Sequence, residues 1–289
     1  MKLTWAHVTY KHDLALSRRQ LLSMYKYMDP NSVHEIILVW NDTTDTVDFM
    51  LKMLEATRDE RFQVRYVTAK DLIGKDPWFY GWWGQQHLKM QVAREVTTDW
   101  FILTDAKDQM VAPATANNFI DGNGRTLMTH GAGPRHAEPD AWVTPPRTND
   151  PKVHHRFKQC YGHAYDLMGL DVNDYDRILR CDWISTVWTA HTETNQDLIE
   201  DLESRFNRMY HNLFNLETMG GHWRYFTEYA LISAWYEHQG KMDLFRPYQP
   251  SVRGGLFPCM AQWDKDLRGL PWHAVKDLKE NKNENTDPR

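Results

Sequence analysis

Several groups of polar residues have the types and spacing to do chemistry. The apolar run Trp100-Phe101-Ile102-Leu103 stops abruptly at Thr104-Asp105-Ala106-Lys107-Asp108, and the run Ile36-Ile37-Leu38-Val39-Trp40 stops at Asn41-Asp42. Carboxylates grouped at the end of a buried strand can hold a divalent cation through oxygen ligands, and such a cation can neutralise a diphosphate. Asp and Asn also favour the turns that follow strands, so Asp42 taken alone serves either purpose. Upstream, Gln85 and Gln86 precede Lys89 by four and three positions and share its helix face. That lysine stands at the margin of an apolar stripe, from which it either snorkels to water or reaches an anion in a cleft. Glu228 follows Thr227 in a segment lined by aromatics, where it either orients a hydroxyl and acts as general base or is a solvated helical carboxylate. His191 precedes a helix start, within reach of a phosphate or hydroxyl or else in a capping or packing role.

Elements of the first half have to position these groups, and short apolar runs alternating with helical periodicity predict strands joined by crossover helices. Strands are expected at Leu3 to Tyr10, Glu35 to Trp40, Gln63 to Thr68 and Trp100 to Leu103. Helices are expected after Asp13 (its apolar positions Leu14, Leu21, Tyr25 and Met28), near Val47 to Thr57, and from Gly84 to Val96. Gly122 to Pro151, rich in Gly, Pro, His and Asn, reads as loop. Strand-like residues return within Arg177 to His191. Thr194 with Asp197 resembles a capping box opening a helix with Leu198, Leu202, Phe206, Met209 and Leu213, and a further helix is expected from about His222 to Glu237. The class is α/β. In an open parallel sheet ligands bind outside the carboxyl ends of the strands, which is where Asn41-Asp42 and Asp105 to Asp108 fall.

Composition narrows the classes. The chain of 289 residues carries a formal charge of −5, a field that disfavours a phosphate backbone, so no nucleic-acid partner is expected. No apolar stretch is long enough for a membrane span, and Met1 to Tyr10 carries no basic-then-apolar leader. Three cysteines, Cys160, Cys181 and Cys259, are too few and too scattered for a disulfide framework, so a reducing, cytoplasmic setting is expected. Despite 14 histidines, among them His130, His136, His154 and His155, no His-Glu-x-x-His ligand set occurs. A nucleophile elbow and a Gly-Lys-Ser/Thr phosphate loop are also missing. The 13 tryptophans are an unusual excess, and some stand beside the candidate residues: Trp78, Trp82 and Trp83 before Lys89, and Trp223 near Glu228. Flat aromatic faces suit sugar rings, although most of them are expected in packing.

The segment Gly81-Trp82-Trp83-Gly84-Gln85-Gln86-His87-Leu88-Lys89-Met90, followed by Thr98-Asp99-Trp100-Phe101-Ile102-Leu103-Thr104-Asp105-Ala106-Lys107-Asp108, resembles a domain-of-unknown-function family of bacterial and phage proteins. That family is regarded as glycosyltransferases of the GT-A fold. Asn41-Asp42, Trp188 to Thr194 and Phe226 to Leu231 extend the resemblance in the same order, over most of the chain to about Tyr236. It implies a GT-A-like domain, taken over 1–275, with a mainly parallel central sheet flanked by helices; Lys276 to Arg289, charged and Asn-rich with few apolar residues, is expected to be a flexible tail. The resemblance also implies transfer of a sugar from a nucleotide-diphosphate donor to an unknown acceptor, whether glycan, lipid or protein. By that resemblance Thr9, Tyr10 and Asp42 contact the nucleoside, and Asp105 through Lys107 stands where an Asp-x-Asp motif binds a divalent metal and the diphosphate. Lys89, sixteen positions before Asp105, matches a donor-holding lysine of glycogenin-like retaining transferases. Gln85, Gln86 and His191 join the donor-binding set, with Glu228 and Lys89 as the catalytic pair.

The sequence departs from that motif at Lys107, which stands where the second aspartate would be, with a carboxylate displaced by one position to Asp108. Either Asp105 and Asp108 share Mn2+ or Mg2+, or Lys107 offsets part of the diphosphate charge itself. An extended chain would turn Asp108 to the face opposite Asp105; a tight turn would bring both inward. Lys107 also keeps open a non-catalytic nucleotide-sugar-binding or carbohydrate-binding protein of the same fold. A sugar nucleotidyltransferase is a further alternative.

Overall fold

Alternation of apolar side chains along the strands splits the core into two layers on either side of one sheet. The computed structural model describes residues 1–74, 82–130, 162–171, 179–180, 187–206, 228–247 and 259–261. Its central sheet has five strands: β1 (Leu3–Thr9), β2 (Val33–Trp40), β3 (Val64–Thr68), β4 (Trp100–Asp105) and β8 (Trp188–His191), in the order β3-β2-β1-β4-β8. The first four run parallel; β8 pairs antiparallel with β4 at the edge. Ala6, Val8, Ile37, Val39, Phe101 and Leu103 point into one layer, and Leu3, Trp5, Ile36, Leu38, Trp40, Trp100 and Ile102 into the other. The near-continuous apolar strands follow from burial on both faces.

Helices α1 (Leu14–Tyr27) and α2 (Val47–Thr57) cover the second layer. The first is covered by α4 (Trp82–Gln91), α5 (Thr192–Phe206) and α6 (Glu228–His238), while a short α3 (Ala69–Ile73) follows β3. The α/β class, with a mostly parallel sheet flanked by helices, is therefore what the structure has. Small sheets are built by β5 (Asp108–Met110) with β10 (Cys259–Ala261), and by β6 (Thr126–His130) with β7 (Leu179–Arg180) and β9 (Phe245–Pro247).

Some boundaries differ from expectation for local reasons. The helix expected over Gly84 to Val96 ends at Gln91 and tightens into a 3-10 turn over Val92–Glu95. Asp13 occupies the N-cap of α1 without a side-chain cap bond; its carbonyl accepts from the Ser17 hydroxyl at 3.0 Å. Helix α5 starts at Thr192, two residues before the expected box, because the Thr192 hydroxyl donates to the Thr98 carbonyl at 2.6 Å and Thr194 is already inside the first turn. Leu198 and Leu202 are buried as the periodicity required. Met209, Leu213, residues 222–227, most of the expected loop and the 276–289 tail lie outside the described residues.

Chain order defines where a ligand fits. From β1 the sheet grows through β2 to β3 on one side, and the chain then returns to place β4 on the other side of β1. The adjacent carboxyl ends of β1 and β4 are thus the topological switch point, the crevice in which open α/β sheets bind ligands. Asp105 sits at that edge, opposite Val8 in the register.

Candidate functional site

Asp105 is the last residue of β4, and register with Val8 turns its side chain toward the layer of α4 and α6. Its carboxylate is engaged from three sides. The Lys89 ammonium contacts Oδ1, Gln85 Nε2 donates to the same oxygen at 3.1 Å, and Lys107 Nζ donates to Oδ2 at 2.9 Å. The i, i+4 spacing of Gln85 and Lys89 on α4 brings both to one carboxylate. Burial would raise the Asp105 pKa, but the Lys89 and Lys107 ammonium groups override it and hold the carboxyl well below its usual range.

Beneath Asp105 lies a buried ionic cluster. Lys89, with a side chain 1% exposed, donates to Glu228 Oε1 at 2.7 Å and to the Tyr229 hydroxyl at 3.1 Å. Burial would lower the Lys89 pKa, yet the Asp105 and Glu228 carboxylates raise it well above the ordinary lysine value. Burial raises the Glu228 pKa against the pull of Lys89. Tyr229 stacks on Trp188, ring centroids 5.0 Å apart, and so fixes the side of the cluster away from the crevice. Tyr229 and Trp188 are thus packing aromatics, as are Trp5 and Trp40 in the opposite layer.

Exposure separates the groups a ligand can meet from those it cannot. Lys107 and Asp105 are 20% and 17% exposed, and Tyr10 and Gln85 are half-buried. At the end of β1, Tyr10 packs edge-on against His12 with centroids 5.7 Å apart, and the exposed Lys11 lies 4.0 Å from the Asp42 carboxylate. Asp42 also accepts the Thr43 amide at 2.8 Å, so it shapes the turn after β2 while facing Lys11. The strand ends of β1, β2 and β4 thereby gather Tyr10, Lys11, His12, Asp42, Asp105 and Lys107 along one edge.

Several expected site residues are placed elsewhere. Thr9 points the other way, toward α1, where its hydroxyl shares a 2.5 Å bond with Ser17, itself 2.9 Å from His7 Nε2. Gln86 is buried, and its carbonyl oxygen receives the Glu228 backbone amide at 3.4 Å, tying α4 to the start of α6. Glu228 is buried completely, so as the structure stands it holds Lys89 instead of facing an acceptor. His191 is at the opposite edge of the sheet: β8 is antiparallel, and His191 pairs with Trp100, the first residue of β4. Five residues of strand separate Trp100 from Asp105, about 17 Å at the rise of a parallel strand. His191 packs edge-on against Trp100 and bonds Thr194 at 3.0 Å, which is the packing and capping role. Lys11 and His12 are not among the residues the sequence points to, and Tyr229 is expected only as one of the aromatics, with Trp223 and Tyr225, around Glu228. The first two follow a strand end directly, and that position was the available signal; for Tyr229, only adjacency to Glu228 pointed to it.

The donor set around Asp105 does not fit the divalent cation expected there. Mg2+ or Mn2+ takes oxygen ligands from carboxylates, carbonyls and water. Both Asp105 oxygens are held by cationic or amide N–H donors. The chain does turn tightly after β4, but Asp108 Oδ2 accepts the Asp105 backbone amide at 2.7 Å and is fully buried, so its carboxylate closes the turn. Among the described residues no group of three or more His, Cys, Asp or Glu side chains converges.

Comparison with solved structures finds similarity to the apo structure of the WbbM bifunctional glycosyltransferase, with a TM-score of 0.46 and 9% sequence identity. That alignment covers 86% of this chain, which spans only 38% of the length of the WbbM chain. No curated protein matches. Among the described residues no helix is long and apolar enough to cross a membrane. Residues 6–260 match the profile of a family described only as being of unknown function, DUF6492, and the chain belongs to that family.

Proposed function

We propose that the chain is a glycosyltransferase of GT-A-like fold that takes a sugar from a nucleotide-diphosphate donor to a glycan, lipid or protein acceptor. The observation that carries this reading is the half-buried Asp105–Lys107 ion pair at the switch point of the sheet, flanked by Tyr10, Lys11 and Asp42. A nucleoside would lie against Tyr10 and Asp42 and its diphosphate against Lys107. In the transfer, the bond from the anomeric carbon to the diphosphate oxygen breaks with its electron pair leaving on oxygen. A fixed cation at that oxygen stabilises the developing charge. The acceptor hydroxyl oxygen forms the new bond and its proton leaves to solvent or a base. Lys89 and Gln85 act one step back by holding Asp105, and Asp105 in turn aims Lys107.

A second reading, a binding protein of the same fold without turnover, is favoured by the complete burial of Glu228, the carboxylate expected to face an acceptor. Thermal shift and donor hydrolysis against a panel of nucleotide-sugars separate the two. A ligand at a hundred times its Kd stabilises by about 2.7 kcal/mol, a melting rise of roughly 4–5 °C for a chain of 289 residues. Both readings require that rise for at least one donor and its loss in Asp105→Asn. Release of nucleoside diphosphate selects the transferase. If no nucleotide-sugar raises the melting temperature, with or without Mn2+, the transferase reading fails.

A further inference from the structure

We infer that this chain binds the diphosphate of its donor without a divalent cation, with the Lys107 ammonium as the group that meets the phosphate oxygens and buried Lys89 as the positioning residue that holds Asp105 beneath it. The inference rests on the nucleotide-sugar reading above and states how that site does its work.

Charge supplies the first argument. Asp105, Glu228, Lys89 and Lys107 form one connected cluster through contacts of Lys89 with both carboxylates and of Lys107 with Asp105. Two carboxylates and two ammonium groups cancel, and that is also the sum of two carboxylates with one divalent cation. These four described side chains therefore carry the charge of two carboxylates around one dication; the buried Asp108 carboxylate beside them is taken up by the Asp105 backbone amide. A dication added beside Asp105 would meet two ammonium groups within hydrogen-bond reach of the same carboxylate, and only a diphosphate of matching charge could offset it.

Access supplies the second. To ligate a metal, Asp105 has to give up a lysine. Lys89 is 1% exposed and held between Asp105, Glu228 and Tyr229, with the Tyr229 ring centroid 4.9 Å away, so leaving Asp105 would cost a buried ammonium one of its two carboxylate partners with no water to replace it. Lys107 can move, being 20% exposed, but it stands in the turn directly after β4 with its ammonium on the Asp105 carboxylate, so a cation there would have to displace it. A lysine ammonium is a point charge with rotatable N–H donors and binds phosphate in that capacity. Asp105 at 2.9 Å fixes where that point charge sits.

The test is calorimetric titration of the full chain with uridine diphosphate, guanosine diphosphate and inorganic pyrophosphate, in EDTA and in Mn2+. At least one nucleoside diphosphate is expected to bind equally well in both. Lys107→Ala should weaken it about 10- to 100-fold, the worth of a hydrogen bond to a charged group, and Lys107→Arg should restore most of the loss. Lys107→Asp recreates two carboxylates spaced Asp-x-Asp and should lose binding in EDTA and regain part of it in Mn2+. Pyrophosphate should show the same Lys107 dependence at lower affinity, because it carries the charge without the nucleoside. Since Lys107 is at the surface of a turn, unchanged circular dichroism of its variants keeps the comparison clean. Wild-type binding that appears only with Mn2+ overturns the inference and leaves the transferase reading standing. Binding in EDTA that ignores Lys107 also overturns it, whereas no binding under either condition sinks both.

Discussion

The two ends of β4 carry polar networks of similar size and opposite character. At its amino end, the Tyr236 hydroxyl accepts the His191 amide at 2.6 Å, Asn195 Nδ2 donates to the His191 carbonyl at 2.7 Å, and Thr98 Oγ1 donates to Thr4 Oγ1 at 2.9 Å. These bonds join neutral groups and staple β8 to α5 and α6, and the start of β4 to β1. At its carboxyl end the bonds join charges: Lys89, Asp105, Lys107 and Glu228, with two of the four side chains at or below 1% exposure. Neutral bonds could have closed either end. Burying charge costs several kcal/mol per ion, and replacing such pairs by apolar residues is often neutral or stabilising. The amino edge of the sheet also holds an ionic group, Arg65 with Glu35 and Glu95, but Arg65 and Glu95 are 31% and 37% exposed; a pair buried as completely as Lys89 and Glu228, at the edge where open sheets bind ligands, is better explained by a ligand than by stability.

Breaking the ionic end should cost most. In Lys89→Met, Glu228 and Asp105 lose their shared buried cation, and removing one partner of a buried pair destabilises by about 3–5 kcal/mol. Urea unfolding of the variant reads this directly. The double variant Lys89→Met/Glu228→Gln removes one of the stranded charges and should recover part of it. A loss under about 1 kcal/mol in the single variant would mean that the cluster is hydrated and the contrast between the two ends overstated.

A smaller effect comes from His7, which lies on the α1 side of the sheet below Thr9. Burial pushes its pKa from 6.5 down to about 3, with Asp105 pulling up and Lys89 pushing further down. The folded protein therefore keeps His7 neutral while the unfolded chain takes up a proton below 6.5. Between those values the unfolded state binds more protons, so this contribution to stability is whole above 6.5 and falls as the pH drops toward 3. From pH 6.5 to 4.5 the loss is about 2–3 kcal/mol. His7→Gln should lack it, and the difference between wild type and variant, measured by urea unfolding at both pH values, cancels the carboxylates that titrate in the same range. A pH-independent difference would show that His7 takes up its proton in the fold as readily as in the unfolded chain, and that burial does not depress its pKa.

How much of this was legible in the sequence depended on how far the deciding partner lies along the chain. Strand and helix positions follow from local period, so β1, β2, β4 and α2 were close to their observed bounds. Asp42, Asp105 and Lys107 were findable because strand ends are local too. Glu228 was findable as a carboxylate among aromatics, but its burial was not, because its partner is Lys89, 139 positions away. His191 was misplaced because an apolar run says nothing of strand direction, and the antiparallel pairing of β8 sends its last residue to the far edge. Thr9 failed on alternation that was available: it shares the face of His7 and Trp5, not that of Val8.

The gentlest test addresses the neutral end. Tyr236→Phe removes only the hydroxyl, leaving the His191 amide and one Asn195 donor without that acceptor. A net loss of about 1–2 kcal/mol is expected in urea unfolding. Its value lies in what should not change. Tyr236 is packed edge-on against Phe245 in the core, and its hydroxyl bonds are to His191 and Asn195 at the amino end. Any nucleotide or pyrophosphate affinity of the wild type should therefore survive in Tyr236→Phe within about twofold, while Lys89→Met loses it. Parallel losses of stability and affinity in both variants would mean that the two ends of β4 are mechanically coupled. The separation drawn between a stapling edge and a ligand edge would then fail, because rigidity transmitted along the strand, and not the local charges, would be what the ligand senses.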